Sequence, residues 1–488
     1  MKTNRYILRK RFDRAQYRYA IILAMAVSAA LSMSSCTKEP PEEEEVIHVT
    51  GITLNPNAAF LLVGKTLYLE ADVEPAEMDN QTLTWSTSDD CIATVNPAGE
   101  VTAVVSGTAT ITVTTDDGRF TATCIVTVTE PNITMTTKNS YVSFHINKNF
   151  GNLIIDWGDG KEDIITNVTS KSFGEFEWFK FDHNYSDLAE YCITVAGANI
   201  ERFACWSDIT SLDVSGATAL TFLDCNGNHL TVLDVSRNTA LTYLNCSENK
   251  LTSLDVSRKP LLETLRCDRN KIVALDVSQN TKLYDLICYD NYLTSLDVSG
   301  NTSLRYLDCS DNFLTALDLN GNTTLIVLYC DWNHLTRLDV SKNTELRELE
   351  CRLNRLTALD VSRNTELSYF ACTGNQLTAL DVSKNTKLHY FACTRNQLTF
   401  LDVSQNTSLD ELICNNNLLT TLVVSRDTAP HWLDFATNQL TASALNDLFR
   451  TLPDLTEKGY GFIFIEDNPG THECDRNIAE EKGWDVSW

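Results

Sequence analysis

The chain is poor in positive charge. Its 488 residues include 39 Lys and Arg against 65 Asp and Glu, a formal net charge of −26. Residues 1–35 hold seven of the basic residues and one of the acidic ones, so the net charge without them is −32. Such an acidic body repels the phosphates of nucleic acids and of anionic lipids, and it favours basic or neutral partners. We therefore expect no binding to nucleic acid.

The chain also lacks the short motifs of the common enzyme classes. It contains no H-E-x-x-H, no G-x-S-x-G and no Gly-rich loop of the kind that binds phosphate. Its eight histidines are scattered. Paired carboxylates such as Glu348 and Glu350 fall in a regular repeat, where nothing is expected to bury them and raise a pKa. We predict a protein that is not an enzyme and that uses no cofactor or metal.

No apolar run after residue 35 is long enough to span a bilayer. Residues 1–35 combine a basic stretch with the apolar "AIILAMAVSAALSM", which is typical of a secretory signal. The "MSSC" that ends at Cys36 resembles a bacterial lipobox, and this resemblance implies lipidation of Cys36. The alternative is an ordinary cleaved signal with a chance cysteine. Because no later segment spans a bilayer, we expect any membrane attachment to be through a lipid on Cys36 only.

Residues 36–45 form an acidic Pro/Glu-rich tether, "TKEPPEEEEV" after Cys36, which cannot build a core. An acidic run beside a lipidated Cys resembles the surface-export signal of Bacteroidota lipoproteins. This resemblance implies a lipid-anchored protein exposed on the surface of the outer membrane. The alternative is a plain linker.

Two β-rich segments follow. Residues 46–129 alternate apolar and polar residues in short runs, and "VTGITLNPNAAFLLVGKTLYLEADVEPAE" resembles the group 2 bacterial Ig-like domain. Cys91 and Cys124 there would be able to form a disulfide after export, although a free Cys124 is the other reading. Residues 130–198, with "IIDWGDG" and "FDHNY", resemble a PKD-like β-sandwich. The Asp-rich turn is either a calcium ligand set or, more simply, a turn.

A 21-residue repeat fills residues 199–439. Ten cysteines from Cys225 to Cys414 are 21 residues apart, and an asparagine stands three residues after that position in all eleven full copies, from Asn228 to Asn438. The pattern L-x-x-L-x-C-x-x-N resembles internalin-like leucine-rich repeats. Residues 440–488 break the pattern, and their helix, strand and short helix predict a C-terminal cap.

The fold class that follows is a multidomain chain. It has two all-β sandwich domains, then a leucine-rich-repeat solenoid with a parallel β-sheet, and a small α/β cap. We expect the cysteines to pack as small apolar side chains and the asparagines to satisfy backbone groups. A third row, from Asp213 to Asp402 in the "LDVS" segments, is expected to form Asx turns, with calcium as the alternative.

Function is expected on the concave face of the solenoid, in the positions that vary between repeats. These lie three and one residues before each Cys and one and two residues after it. Around three central cysteines they are rich in acidic and aromatic residues and contain no Lys or Arg. The candidate ligand-binding residues are Asp285, Tyr289, Asp290, Tyr306, Asp308, Asp311, Tyr329, Asp331 and Trp332. Tyr and Trp supply rigid contact area at binding sites, although exposed aromatics also stabilise sheets by pairing. We predict a monomer that binds a basic protein, as in adhesion, with a glycan ligand or a glycan- or peptide-cleaving enzyme as alternatives.

Overall fold

The computed structural model of the chain describes residues 48–76, 82–147, 151–168, 178–425, 430–456 and 459–488. The predicted signal, the acidic tether and Cys36 lie outside these residues. In the part that is described, no helix combines the length and apolar character needed to cross a membrane.

The N-terminal domain is an all-β sandwich around one small core. One sheet has the order β2-β9-β8-β5, a second has the order β3-β7-β6, and β1 pairs with β4. Buried Ile111, Val113, Cys124 and Val126 alternate with outward residues on β8 and β9, which is the pattern that predicted the sandwich. Cys124 and the exposed Cys91 are both free thiols. The strands are β1 Gly51–Asn55, β2 Ala58–Leu62, β3 Thr66–Tyr68, β4 Glu70–Glu74, β5 Leu83–Thr87, β6 Ala93–Val95, β7 Glu100–Ala103, β8 Gly107–Thr115 and β9 Thr121–Thr129.

The second sandwich shares its core with the repeats. Its strands are β10 Ile133–Thr137, β11 Tyr141–Asn147, β12 Gly151–Asp156, β13 Glu162–Val168, β14 Trp178–Asn184 and β15 Tyr191–Gly197. One sheet, β13-β12-β15-β10-β17, takes in the repeat strand β17 (Ile209–Asp213), and the other continues from β14-β11 into β16 (Arg202–Cys205) and the concave sheet. A single hydrophobic cluster runs from Ile133 to Val486. The predicted boundary at residue 198 therefore falls inside one core, and residues 130–198 close the N-terminal end of the solenoid.

The Asp-rich turn in this sandwich uses its carboxylates internally. Asp156 Oδ1 accepts a bond from the Gly158 N–H at 2.9 Å, and Asp159 Oδ2 lies 2.9 Å from His183 Nε2. Hydrogen bonds from His183 and then Lys161 lower the pKa of Asp159 to about 2. Asp156 also pairs with Lys65 of the first sandwich at 2.6 Å. These contacts fit a turn and a domain junction.

The repeats form one parallel sheet, with a shift of 21 residues per rung. Tyr243 pairs with Thr264, Thr264 with Asp285, and Asp285 with Tyr306. After β16 its strands are β18 Phe222–Asp224, β19 Tyr243–Asn245, β20 Thr264–Arg266, β21 Asp285–Ile287, β22 Tyr306–Asp308, β23 Val327–Tyr329, β24 Glu348–Glu350, β25 Tyr369–Ala371, β26 Tyr390–Ala392, β28 Glu411–Ile413, β30 Trp432–Asp434, β31 Gly461–Phe464 and β32 Trp484–Ser487. On the opposite edge, β27 (Phe400–Val403) and β29 (Thr421–Val424) pair with each other as parallel strands, and the first copy, β17, pairs with β10.

The C-terminal cap has the predicted elements. Helix α1 (Ala442–Thr451) begins after Thr441, whose side chain accepts from the Ala444 N–H, and it buries Leu445, Leu448 and Phe449. Helix α2 spans Asn477–Glu480. Because the cap strands β31 and β32 continue the concave sheet, the apolar end of the last coil is covered.

The cysteine and asparagine rows of the repeats are structural, as predicted. Cysteines 225 to 414 are buried free thiols, and burial raises the pKa of each one, Cys330 included. Asn333 Nδ2 donates to the carbonyls of Cys309 and Cys330 at 3.0 and 3.2 Å, and its Oδ1 accepts from the Leu314 N–H at 2.9 Å. The asparagines of the ten other full copies make the same donor and acceptor contacts, for example Asn249 with the Cys225 carbonyl and the Leu230 N–H. The row therefore holds adjacent coils together where the backbone bends.

The aspartates of the "LDVS" segments form the expected Asx turns. Asp339 Oδ1, for example, accepts from the Ser341 N–H at 2.9 Å, and Asp360 from the Ser362 N–H at the same distance. These hydrogen bonds lower the pKa of both carboxyls. Local N–H donors thus satisfy this row of carboxylates.

Candidate binding surface

Three neighbouring rungs bring the nine predicted residues onto one surface. Strands β21, β22 and β23 supply positions three and one before the Cys, and the following turn supplies positions one and two after it. Residues 21 apart in the chain thereby become neighbours, because each rung lies about 4.8 Å from the next. Asp285, Tyr289, Tyr306, Asp308 and Tyr329 are half-buried, Asp290, Asp311 and Trp332 are exposed, and Asp331 is buried.

The exposed members occupy a left-handed backbone position. Asp290, Asp311 and Trp332 have φ values of 51°, 51° and 52°, and glycine fills the same position at Gly227 and Gly374. Asp tolerates this conformation, whereas a bulky side chain is disfavoured there by about 1 kcal/mol or more. Trp332 nevertheless stands there with 59% of its surface exposed.

Asp331 does not face solvent, contrary to the expectation from strand alternation. Its exposure is 8%. The Arg352 guanidinium lies 3.2 Å from Asp331 Oδ2, and the same arginine also binds Glu350 and donates to the Tyr369 hydroxyl at 2.7 Å. Burial raises the pKa of Asp331, and Arg352 opposes that shift. Asp331 therefore positions Arg352. This arginine lies on the rung of Cys351, one rung beyond the three that carry the predicted residues.

A shallow groove opens beside the acidic residues. It has a volume of about 480 Å³ and is lined by apolar Ile287, Ile326 and Val327 together with Tyr306, Asp285 and two arginines. One of these, Arg266, pairs with Asp285 at 3.2 Å. A larger groove of about 670 Å³ lies on the other edge, among repeat residues such as Leu359, Leu380 and Phe400.

The tyrosines of the surface stay neutral. Burial raises the pKa of Tyr306 to about 12 and that of Tyr329 further, where a hydrogen bond to Glu348 adds to the effect. Tyr306 and Tyr329 meet edge to face, with their ring centroids 5.7 Å apart. Burial also raises the pKa of Asp308, and that of Asp311 rises through burial and the nearby Asp290. The surface thus combines neutral aromatic donors with crowded carboxylates.

An aromatic ridge at the border of this surface escaped the sequence analysis. It consists of Tyr292, Phe313 and His334, four residues after successive cysteines. The first two are 50% and 45% exposed, and the ring centroids are 6.2 Å apart from Tyr292 to Phe313 and 5.9 Å from Phe313 to His334. The sequence could have indicated this ridge, because the position four residues after the Cys varies between repeats as freely as the four predicted surface positions.

Metal ligands do not gather on this surface. Across the described ranges, three ligand atoms come close enough to share an ion only at Asp89, Asp90 and Cys91 of the first sandwich, all of them exposed. The cysteine row stays parallel to the solenoid axis, walled by leucines, so its sulfur atoms do not converge on one point.

Comparison with known proteins places the first domain in a family. Residues 48–126 match the bacterial Ig-like domain (group 2). The chain is 45% identical over 84 residues to an Ig-like virion protein of Serratia phage KSP90, which is 17% of this chain and 33% of that protein. It is 39% identical over 112 residues to a lacto-N-biosidase of Bifidobacterium bifidum, 22% of this chain and 10% of that enzyme. The chain thus spans a third or less of these two relatives.

Similar solved structures contain leucine-rich repeats. The functional domain of InlJ from Listeria monocytogenes, described as including a cysteine ladder, is 36% identical with a TM-score of 0.45, covering 55% of this chain and 69% of that one. An internalin, inlF, from Listeria monocytogenes is 22% identical with a TM-score of 0.49, covering 59% and 86%. The matched Ig-like domain, the parallel sheet and the 21-residue repeat give the architecture of this chain: an Ig-like domain followed by a β-solenoid of leucine-rich repeats.

Proposed function

We propose that this chain is a lipid-anchored protein of the outer-membrane surface that binds a basic protein partner through its concave face, without catalysis. The two sandwiches and the tether would hold the solenoid away from the membrane. Trp332 and Tyr329 would make the main apolar contact, and the acidic residues around them would attract the partner. Adhesion to another cell or to a host surface is the role that fits such a protein.

The observation that carries this proposal is Trp332. The side chain is exposed, and its backbone has a conformation that a bulky residue adopts only at a cost. The coil does not require a ring at this position, because the other coils place Gly, Asp, Asn, Glu, Arg, Leu or Thr there with the same backbone conformation. An exposed Trp in a position that varies between repeats is typical of a contact residue for a partner.

The charge of the concave face supports a basic partner. The relevant charges lie at three positions of each coil from β18 to the turn after β30: three and one residues before the Cys position, and one residue after it. These positions contain nine carboxylates and two arginines. The carboxylates are Asp224, Asp268, Asp285, Asp308, Asp331, Glu348, Glu350, Glu411 and Asp434, and the arginines are Arg266 and Arg352. An excess of one sign speeds encounter with a partner of the other sign, and added salt weakens that effect.

The proposal is tested by comparing variants for binding to surface proteins and to a glycan array. Tyr329→Ala/Trp332→Ala should lower affinity for any specific ligand at least about tenfold, because truncating one aromatic anchor costs about 2 kcal/mol or more. Phe400→Ala, which removes an exposed ring on the opposite edge, is the matched control and should bind normally. Circular dichroism checks folding. Equal affinity of the double variant and wild type would refute the concave-face site, and salt-insensitive binding to a neutral glycan would refute the basic protein partner.

The location is tested separately, through Cys36. Wild-type protein should partition into detergent with the membrane fraction and be removed from intact cells by added protease. Cys36→Ala should be released or remain unprocessed, since the acceptor for the lipid is lost. A wild-type protein found free in the periplasm would refute the lipid anchor while leaving the binding proposal intact.

A further inference from the structure

One column of the concave sheet has a longer period than the repeat itself. It is formed by the first residue of each strand, three positions before the Cys. Acidic residues recur there every 63 residues, and an aromatic residue follows each of them on the next rung. The acidic residues are Asp285, Glu348 and Glu411, and the aromatic residues that follow them are Tyr306, Tyr369 and Trp432; Phe222, Tyr243 and Tyr390 are the other aromatic residues of the column.

Strand pairing makes this period a spatial one. Asp285 is in register with Tyr306, Glu348 with Tyr369, and Glu411 with Trp432, so each acid has an aromatic residue on the next rung. We call these three pairs the acid–aromatic couples. They recur every three rungs, or about 14 Å, and the column from Tyr243 to Trp432 spans nine rungs, about 43 Å.

An acid beside an aromatic ring is a binding site for a cation, through an ion pair and a cation–π contact. The chain itself uses the concave face in this way. Arg352 lies 6.0 Å from the centre of the Tyr369 ring and pairs with Glu350, and Arg269 lies 5.4 Å from the centre of the Tyr289 ring and pairs with Glu248. Guanidinium groups thus already occupy such positions.

The three acid–aromatic couples differ in whether the carboxylate is already bonded to another side chain of this protein. Asp285 pairs with Arg266, and the Glu348 carboxylate accepts a bond from the Tyr329 hydroxyl. Glu411 is exposed and, within the ranges that the structure covers, lies in no ion pair, while its neighbour Trp432 is 38% exposed. The Glu411–Trp432 couple is therefore the most accessible of the three.

We propose that this column binds an extended basic polypeptide that runs along the solenoid axis, across the strands, with a Lys or Arg at every fourth residue. Four residues of extended chain rise about 13 Å, close to the three-rung spacing, and alternation places every fourth side chain on the same face. About 13 residues would span the column from Tyr243 to Trp432. The inference rests on the proposed concave-face function and adds to it the conformation and the charge spacing of the partner.

The test uses two labelled 13-residue peptides of equal length and composition, each with four lysines among Gly and Ser. One has lysine at positions 1, 5, 9 and 13, and the other has lysine at 2, 5, 8 and 11. Fluorescence anisotropy with the full chain at low salt measures affinity. The first peptide should bind at least about fivefold more tightly, because its lysines reach successive couples together and the contacts act jointly. Equal affinities would overturn the proposed spacing.

Substitution at the most accessible couple gives the second readout. Glu411→Gln/Trp432→Ala should abolish most of the preference for the first peptide. Glu345→Gln/Phe400→Ala, which also removes one carboxylate charge and one aromatic ring but at exposed positions away from the column, should retain the preference. If neither peptide binds while Tyr329→Ala/Trp332→Ala still loses another ligand, the extended basic peptide is refuted and the concave-face site stands. If that variant also binds its ligand normally, both proposals fall.

Discussion

The solenoid contains two columns of buried asparagines, which differ in how freely other residues replace them. The first column follows the cysteines, has Asn in all eleven full copies and continues into the cap at Asn468, which donates to the carbonyls of Phe435 and Ile465. The second column lies in the "SxNT" segments, and in the sequence Ala217, Lys259 and Asp427 take the place of its asparagine. Both columns are buried, so burial alone does not account for the difference.

Hydrogen bonding accounts for it. In the first column, Asn333 Oδ1 is the partner of the Leu314 N–H, and Nδ2 serves carbonyls at the bend. In the second column, Asn343 Nδ2 donates to the carbonyls of Leu319 and Asn322, but each already accepts a backbone N–H. The Oδ1 atom of Asn343 has no partner within the described structure. The first column provides an acceptor for a buried N–H through Oδ1, whereas the second adds donors to carbonyls that already accept a backbone bond.

The largest effect is expected for Asn333→Ala. It would leave the buried Leu314 N–H without its partner and remove a donor from the carbonyls of Cys309 and Cys330. An unsatisfied buried group costs about 1–3 kcal/mol, so we expect a loss of about 3 kcal/mol in the free energy of unfolding. Urea denaturation followed by circular dichroism measures it. A loss below about 1 kcal/mol would contradict this account of the first column.

Lys259→Asn should stabilise the protein by about 2 kcal/mol. Lys259 is buried, and its Nζ has no partner among the described residues. Asparagine would remove this ammonium and restore the two bonds to carbonyls of the preceding coil that other members of the column make.

The gain from Lys259→Asn should depend on pH. Burial lowers the pKa of Lys259 from 10.5, so folding disfavours its charged form. This penalty is complete below the lowered pKa and shrinks as the pH rises toward 10.5, where the unfolded chain also loses the proton. The difference in urea denaturation midpoint between the variant and wild type should therefore be smaller at pH 10 than at pH 7. A constant difference would show that the ammonium charge is not the cause.

Asn343→Ala is the counterpart of Asn333→Ala in the second column. The two carbonyls that lose Nδ2 keep their backbone donors, from Asn322 and Leu325. We expect a loss of about 1.5 kcal/mol, half that of the first column, in the same urea experiment. Equal losses at Asn333 and Asn343 would remove the distinction between the two columns.

Cys330→Ala should have the smallest effect, a loss of about 1 kcal/mol. It removes one buried sulfur and leaves a small cavity, while the Cys330 backbone carbonyl keeps its asparagine donors. The buried thiols should also resist alkylation until the chain unfolds, as mass spectrometry after labelling would detect. Rapid labelling of the folded protein, or disulfides between rungs, would contradict the packing role.

The contrast between the two asparagine columns also shows where sequence reasoning was sufficient. The 21-residue period determined the coil, the register and the buried rows, because every copy repeats the same local contacts. The aspartates of "LDVS" were correctly expected to form Asx turns, since their donors lie two residues away in the chain. Comparison of equivalent positions between repeats selected residues that the fold brings onto one face, and their role in binding stays a prediction.

Other features depended on contacts between segments distant in the chain. Strand alternation predicted that Asp331 faces solvent, but Arg352 of the next rung covers it. The second sandwich was predicted from local patterns as a separate domain, yet β16 and β17 extend its two sheets into the repeats and give both one core.

The sequence by itself determined the period, the inward positions and the acidic character, because these depend on composition and on neighbours within one or two coils. Only the tertiary structure decided which charges are paired, which asparagine oxygens have partners, and which acid stands beside which aromatic ring. Those properties arise where rungs stack at about 4.8 Å, and the neighbours that meet there are at least 17 residues apart in the chain.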